Sequence, residues 1–214
     1  VRAYEWRNVI VVVPPAGKQA VEEAIGDAAT LGVQVSYVQA DEGALPVHAL
    51  LERDMELCLV LEGHYVIEGA LLAVLRAAGA EAVLCDSQPG EGRHLALQVQ
   101  DGQVIAYGQQ ATQPTHAYAG AVLLSRTALQ QLAAVRGDRS WPMPLSHLPA
   151  LKAVDTRRSD LYVAEVRRRV EPFWQAVETP ADAERCKRAL VTGAQKHTLD
   201  MVAWYVNRPL ESAL

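Results

Sequence analysis

Hydrophobic positions along this chain follow two spacings in turn, which predicts strands alternating with helices. Mainly apolar runs from Asn8 to Val13 and from Leu57 to Leu61 are typical of strands buried on both faces. After the second run, apolar residues recur at spacings of three and four from Ala70 to Leu75, which predicts a helix packed on a sheet. Ligands of α/β sheets bind just past the carboxyl ends of the strands. We therefore expect the polar turn Glu62–His64 to lie at a ligand-binding or catalytic site.

The remaining pattern continues this alternation and adds one hairpin. Alternating strands flank the dipeptide Asp101-Gly102, which is a strong two-residue hairpin signal. The order predicts a three-layer α/β/α domain with a mixed sheet and a β-hairpin insertion over residues 1–195, followed by a C-terminal helix or linker over 196–214. The other predicted strands are Gln34–Val38, Ala80–Cys85, Leu95–Val99, Gln103–Tyr107, Ala117–Leu124, Leu161–Val166 and Trp174–Val177, and the helices are Gln19–Leu31, Leu45–Met55, Thr127–Val135 and one from Thr179 past Leu190.

Composition and charge indicate a soluble domain that does not bind nucleic acid. Half of the residues are hydrophobic, enough for a real core, and 25 acidic residues outnumber 20 basic ones, giving a net charge of −5. Nucleic-acid surfaces need clustered Lys and Arg, so this balance argues against one. The three cysteines lack metal-type spacing, and no apolar run approaches the ~18 residues of a membrane span. We therefore expect a cytoplasmic domain.

Several polar residues are candidates for chemistry, each with a plainer alternative. His64 could be a metal ligand or an acid–base group, or a loop histidine with a structural hydrogen bond. Glu178 could ligate a metal or only complement a helix dipole. Glu62 could supply a second carboxylate or be an exposed loop acid, and Lys152 could meet a phosphate or be solvated. No dinucleotide-binding fingerprint and no P-loop occur.

Two segments carry a resemblance to a known family. Leu59–His64 resembles the strand ending in Gly-Asp that closes the nucleotide site of sugar-phosphate nucleotidyltransferases. Phe173–Asp182 is similar to their Trp-x-Asp-Val-Asp-Thr-Pro-Glu-Asp segment, and Gly120 fits the strand before their substrate loop. The resemblance implies the nucleotidyltransferase (GT-A-like) fold. It also implies nucleotide-binding roles for Gly63, His64 and Gly120, with Lys152 as a further candidate.

The sequence departs from the family at the positions that matter for catalysis. The glycine-rich phosphate loop Leu-Ala-Ala-Gly-x-Gly-x-Arg has no counterpart in this chain. The Gly-Asp carboxylate, a Mg²⁺ ligand in the family, is His64, and Mg²⁺ prefers hard oxygen ligands. The aspartates of the second motif are Gln175 and Glu178. A metal site, Mg²⁺ if the protein is active, would then depend on Glu178 and Glu62.

The tail extends the resemblance to one particular arrangement. Lys196, Asp200 and Asn207–Pro209 are similar to the junction in fused enzymes of phospholipid synthesis, where a cytidylyltransferase-like domain precedes a membrane CDP-alcohol phosphatidyltransferase. Our leading hypothesis is a catalytically degenerate domain that regulates or scaffolds such an enzyme, as a homodimer or by binding CTP or a CDP-alcohol-type molecule. Membrane association would come through the adjoining domain of the same polypeptide.

Two other functions stay open, and no residue is assigned as catalytic. The alternative is an active CTP-dependent polyol-phosphate cytidylyltransferase, of the inositol-phosphate type. A third hypothesis, a glycosyltransferase of the GT-A type, lacks the Asp-x-Asp motif that it would usually need.

Overall fold

The computed structural model describes most of the central part of the chain and several segments on either side. The described residues are 8–13, 18–25, 34–39, 47–51, 53, 55–88, 94–135, 141–157, 162–163, 168–169 and 174–189.

The strands form one large sheet and three two-stranded pairs. Most are short and rich in Val, Leu and Tyr, as expected of strands that pack on both faces. Their bounds are β1 (Asn8–Val13), β2 (Gln34–Gln39), β3 (Leu57–Leu61), β4 (Tyr65–Ile67), β5 (Ala82–Asp86), β6 (Ala96–Gln100), β7 (Gln103–Tyr107), β8 (His116–Ser125), β9 (Lys152–Asp155), β10 (Tyr162–Val163), β11 (Arg168–Arg169) and β12 (Trp174–Ala176).

The large sheet has the order β3-β8-β5-β9-β7-β6 and contains both parallel and antiparallel pairs. The long strand β8 runs antiparallel to β3 on one side and to β5 on the other. Strand β9 is parallel to β5. Strands β3, β5 and β9 therefore run in the same direction and end at the same edge of the sheet. Of the smaller pairs, β4 is antiparallel to β12 and β1 is parallel to β2.

Helices cover both faces of the large sheet, which confirms the predicted three layers. Alternate residues of β8 point to opposite faces, so Val122 and Leu124 join one core cluster and Ala121 and Leu123 the other. The first cluster includes side chains of α2 and α4, and the second those of α3. The helices are α1 (Lys18–Ile25), α2 (His48–Leu51), α3 (Gly69–Ala77), α4 (Arg126–Ala133) and α5 (180–189), with 3-10 turns at Gly108–Gln110 and Met143–His147.

Local signals in the sequence are confirmed where they are strongest. The hairpin turn places Asp101 at φ 51° and Gly102 at φ 74°, and Ser125 caps α4 by accepting a hydrogen bond from the amide of Ala128. Thr179 caps α5 in the same way, since its hydroxyl accepts from the amide of Asp182 at 3.2 Å. Residues within the turn or cap itself therefore determine the β6–β7 turn and the first turns of α4 and α5.

The structure differs from the predicted elements in a few places. Strands β4 and β9 were not predicted, because three and four residues give too short a pattern to recognise. The predicted helix Leu45–Met55 is only the four-residue α2. The segment 196–214, the end of the last helix, most of Leu161–Val166 and the second half of Gln19–Leu31 lie outside the described residues. No helix in the described ranges is long and apolar enough to cross a membrane.

Gly120 lies in a bulge of β8 where another side chain comes unusually close. Val83 pairs with Val122 and Cys85 with Tyr118, so β8 has three residues where β5 has only Leu84. Gly120 has φ +80°, and a Cβ built on it would stand 2.2 Å from Cγ of Tyr65. The ring of Tyr65 can rest on β8 only because residue 120 has no side chain.

Replacing Gly120 with alanine should therefore destabilise the fold more than the same change at Gly102. Both glycines have positive φ, so each alanine costs roughly 1–2 kcal/mol of backbone strain. Gly102 has no atom within 4 Å of the added Cβ, whereas Gly120 meets Tyr65. We expect the clash to add about 1–3 kcal/mol. Urea denaturation of Gly120→Ala and Gly102→Ala measures the difference, and equal losses would contradict the close approach.

Candidate functional site

Three carboxylates lie where three strands of the same direction end. Glu62 follows β3, Asp86 is the last residue of β5, and Asp155 is the last residue of β9. Cys85 and Asp155 are paired in register, which places the ends of β5 and β9 side by side. This edge is where α/β sheets bind ligands. It is the candidate functional site.

The turn between β3 and β4 presents the first part of the site. The amide of Glu62 donates to the carbonyl of Gly120 at 3.0 Å, which holds the end of β3 against the bulge of β8. Gly63 has open space around it, and His64 is exposed. His64 Nδ1 lies 3.6 Å from Glu62 Oε2. The turn thus exposes a glycine and an imidazole above a carboxylate.

Pairing of β4 with β12 brings the second motif of the sequence to this turn. The amide of Val177 donates to the carbonyl of His64 at 2.7 Å, just beyond the β4–β12 ladder. Glu178, the next residue, is exposed beside the turn, and Tyr65 interacts electrostatically with both Glu62 and Glu178. Burial and these two carboxylates raise the pKa of Tyr65 to about 12.

The structure therefore gathers most of the predicted site residues and leaves one apart. Gly63, His64, Gly120, Glu62 and Glu178 meet around the turn after β3. Lys152 starts β9 in register with Ala82, the first residue of β5, and its Nζ donates to the carbonyl of Ala78 at 3.1 Å. Lys152 belongs to the opposite end of β5 from Asp86, so the structure does not bring it to the other candidates.

Aromatic rings connect the two halves of the site. Tyr65 stacks on Trp174 with centroids 6.1 Å apart and meets Tyr118 edge to face at 6.2 Å. The ring of His94 meets Trp174 edge to face, with ring centroids 5.4 Å apart. These ring contacts link β4, β8 and β12 in the region between Glu62 and Asp86.

Asp86 is a buried carboxylate with its hydrogen bonds satisfied. It accepts from the indole nitrogen of Trp174 at 2.7 Å, from the amide of Gln88 at 2.8 Å and from Nε of Arg157 at 3.1 Å. Burial alone would raise the pKa of Asp86, but these donors outweigh it and lower the pKa below the usual value. Asp86 therefore stays charged and anchors β12 and the turn after β9 to the end of β5.

Asp155 organises the neighbouring turn. It accepts from the amides of Ser87 and Arg157 at 3.1 and 3.0 Å, and His116 Nε2 lies 3.9 Å from its other oxygen. Both of these hydrogen bonds come from backbone amides. We therefore assign Asp155 a structural role in holding the turns that follow β5 and β9.

Glu62 has the opposite electrostatic character from Asp86. Burial raises the pKa of Glu62, and hydrogen bonds with Tyr118 and Trp141 and the electrostatic attraction of His64 only partly offset this effect. At this edge the charged form of Asp86 is favoured by its donors, whereas the charged form of Glu62 is disfavoured by burial.

The Mg²⁺ site implied by the resemblance does not fit the residues present. Nowhere in the described ranges do three His, Cys, Asp or Glu side chains lie together in the manner of a metal site. Glu62 has one oxygen towards His64 and one buried, and Glu178 is the only other candidate carboxylate at the turn. Mg²⁺ demands several oxygen ligands in near-octahedral geometry. We derive no chemistry through a metal here.

Sequence reasoning missed several residues of this site. Asp86 directly follows a predicted buried strand, so the rule about carboxyl ends could have found it. Asp155 ends β9 and Arg157 follows it, and the pattern of this strand is too short to recognise. Tyr118 is hidden within an apolar strand, and Trp141 lies in a loop whose position depends wholly on tertiary packing.

Comparisons with known proteins agree on the fold. Neither a protein-family model nor a curated protein matches this sequence. The inositol-1-phosphate CTP transferase from T. maritima matches with a TM-score of 0.57 and 13% identity, over 82% of this chain and 72% of that one. A protein assigned as a glucose-1-phosphate thymidylyltransferase from Bacillus anthracis, solved with sucrose, matches with a TM-score of 0.60 and 13% identity, over 86% and 76% of the two chains.

A third solved structure extends this agreement. HddC from Yersinia pseudotuberculosis matches with a TM-score of 0.61 and 13% identity, over 87% of this chain and 80% of that one. HddC has also been solved complexed with GMP-PN. At this identity the likeness concerns the fold. The chain has a mixed α/β, nucleotidyltransferase-like fold, as the sequence predicts.

Glu62, whose charge is disfavoured by burial, should make the protein less stable at neutral pH than a neutral variant does. The ionised form is disfavoured in the folded state, so wild-type stability is lost as pH rises through the raised pKa of Glu62. Glu62→Gln removes this charge and should stabilise the fold by on the order of 1 kcal/mol at pH 7.

Denaturation of both proteins between pH 4 and 8 measures this effect. The difference should shrink as pH falls towards 4.5, the ordinary value of such a carboxyl. Glu184→Gln on the exposed face of α5 is the control and should show no such trend, because Glu184 is 63% exposed. A Glu62→Gln variant that is less stable at pH 7 would contradict our account of Glu62.

Asp86 should show the reverse dependence on pH. Because its pKa is lowered in the folded state, its contribution is present above its ordinary value near 3.8 and is lost as pH falls through the lowered pKa. Arg157→Gln should cost roughly 1–2 kcal/mol at pH 7. Arg185→Gln, which removes a pair with Asp182 on the surface, should cost much less. Equal losses in the two variants at pH 7 would argue against the anchor.

Proposed function

We propose that this chain is a nucleotidyltransferase-like domain that has lost nucleotidyl transfer and serves as a binding and scaffolding domain. The observation that carries this proposal is the turn after β3. There the exposed imidazole of His64 occupies the position at which the resemblance implies a carboxylate, and the segment of the second motif that reaches the turn contributes the exposed carboxylate of Glu178. A two-carboxylate clamp for phosphoryl transfer is incomplete with this set of side chains.

The proposed role is regulatory or structural, next to a CDP-alcohol phosphotransferase of phospholipid synthesis. The likeness of the fold to an inositol-1-phosphate CTP transferase supports a relation to CDP-alcohol chemistry. The resemblance to the fusion junction rests on residues 196–214, which lie outside the described residues. In this proposal the domain belongs to a cytoplasmic part of the polypeptide, holds the membrane domain as a homodimer, and binds a CTP-like or CDP-alcohol-type molecule without turning it over.

One observation favours the alternative, an active CTP-dependent polyol-phosphate cytidylyltransferase. Glu62 and Glu178 both act electrostatically on Tyr65, so two carboxylates remain at the site. In that case Glu178 and Glu62 would hold Mg²⁺, and other residues would replace the glycine-rich loop.

Calorimetric titration of CTP with and without Mg²⁺ separates the two functions. For the degenerate domain, we expect CTP binding that does not depend on Mg²⁺ and no pyrophosphate release from CTP with inositol 1-phosphate. The Glu178→Ala variant should then bind CTP like the wild type.

The alternative predicts a different set of results. Mg²⁺-dependent binding, pyrophosphate release and a loss of both in Glu178→Ala, while Glu184→Ala behaves like the wild type, would overturn the degenerate function. Glu184 is a suited control because it is an exposed glutamate on α5 and pairs only weakly with Lys187, at 4.0 Å.

The proposed fusion has its own test. The complete coding sequence should continue into several apolar spans that follow this domain. A native polypeptide without them would contradict the membrane partner while leaving the proposal about catalysis intact.

A further inference from the structure

The second motif of the sequence is carried by a segment that lies outside the large sheet. Strand β12 and helix α5 (residues 174–189) form this segment, the strap. Among the described strands, β12 pairs only with the three-residue β4. From Glu178 onwards most residues of the strap are exposed, and Cys186 is the buried exception. A segment with so little cover is of the kind that opens locally while the rest of the fold stays closed.

The second half of the strap bonds mainly to itself. The carboxylate of Asp182 accepts from the amides of Glu178 and Thr179 and pairs with Arg185. Among the described residues, the hydrogen bonds of 178–189 all lie within that range. This half can therefore move without breaking a hydrogen bond to the large sheet.

Two residues provide the main attachment of the strap beyond its ladder with β4. The amide of Val177 donates to the carbonyl of His64 at 2.7 Å. The ring of Trp174 stacks on Tyr65 with centroids 6.1 Å apart, and its indole nitrogen donates to Asp86 at 2.7 Å. Of the residues 174–189, Trp174 alone packs against a core cluster. Attachment to the sheet is thus concentrated on one side chain.

The hydrogen bond from Trp174 to Asp86 joins the strap to a fixed acceptor. Asp86 is buried and stays charged, and hydrogen bonds to a charged acceptor are roughly twice as strong as neutral ones. Arg157 and the amide of Gln88 hold the same carboxylate from elements other than the strap. The carboxylate therefore keeps its position and two donors when Trp174 leaves, so opening does not strand a buried charge.

We propose that the strap opens as a unit beside the turn after β3 and that the hydrogen bond from Trp174 to Asp86 is its latch. With the latch closed, Glu178 lies beside the turn and the indole covers the ring of Tyr65. Opening uncovers that ring and withdraws Glu178. This inference rests on the proposed function in one respect, since it takes the turn after β3 to be the binding site. It adds how access to that site is controlled.

Two variants weaken the latch in different ways, and a third is the control. Trp174→Phe keeps an aromatic ring for Tyr65 but has no N–H for Asp86. Asp86→Asn keeps the indole and replaces the charged acceptor by a neutral one. Asp155→Asn makes the same chemical change at the same edge, and Asp155 accepts from two backbone amides outside the strap.

Amide hydrogen exchange of the full chain, followed residue by residue by NMR, measures the opening. The reporter is the amide of Val177, and amides of β5 and β8 in the core are the reference. In Trp174→Phe and in Asp86→Asn we expect the Val177 amide to exchange about tenfold faster relative to this reference, as the loss of one hydrogen bond implies. Asp155→Asn should leave that ratio at the wild-type value.

Four outcomes would overturn the latch. The Val177 amide exchanges no faster in either variant, or the amides of β5 and β8 accelerate equally, which indicates loss of the whole fold. Asp155→Asn has the same effect as Asp86→Asn, which indicates a general weakening of the edge. Finally, Trp174→Phe alone accelerates exchange, in which case the ring and not the hydrogen bond holds the strap.

Exchange in the presence of CTP separates this inference from the proposed function. We expect saturating CTP to slow exchange of the Val177 amide, because a ligand beside the closed strap favours the closed form. If CTP does not bind while the variants behave as expected, the binding function is rejected and the latch stands. If CTP binds without changing exchange at Val177, the strap does not control the site and this inference is overturned.

Discussion

The close approach of Tyr65 to the backbone of Gly120 is the constraint on which the rest of the site depends. Strand β8 can bulge at Gly120 and accept the ring because no Cβ stands there. With the ring in place, β4 stays next to β8 and Trp174 of β12 stacks on Tyr65. The second motif of the sequence then reaches the turn after β3. One missing side chain thus permits two distant segments to meet.

Two carboxylates at the same edge show how the surroundings of an acid set its preferred charge state. Asp86 is surrounded by donors from Trp174, Gln88 and Arg157, and stays charged with a lowered pKa. Glu62 is half-buried, its neighbours only partly offset the cost of burial, and its pKa is raised. A protein that needed Glu62 only for stability would be better served by a neutral residue.

Elements with strong local signals, and the position of the turn after β3, follow from the amino-acid sequence alone. Hydrophobic spacing and turn chemistry, which act within a few residues, set the apolar runs of β1, β3 and β8, the Asp101-Gly102 turn and the capped starts of α4 and α5. The family resemblance likewise selected Gly63, His64, Gly120 and Glu178 from short motifs. These predictions needed no knowledge of distant contacts.

Which polar groups meet and which remain apart depends on long-range packing of the strands and helices. Lys152, a candidate from the sequence, lies at the far end of β5, because β9 is parallel to β5 and begins with it. Tyr118 and Trp141 join Glu62 from segments that are far apart in the chain. Burial and long-range pairing set the charge state and hydrogen bonding of Glu62 and Asp86, and neither property is carried by the residues next to them in sequence.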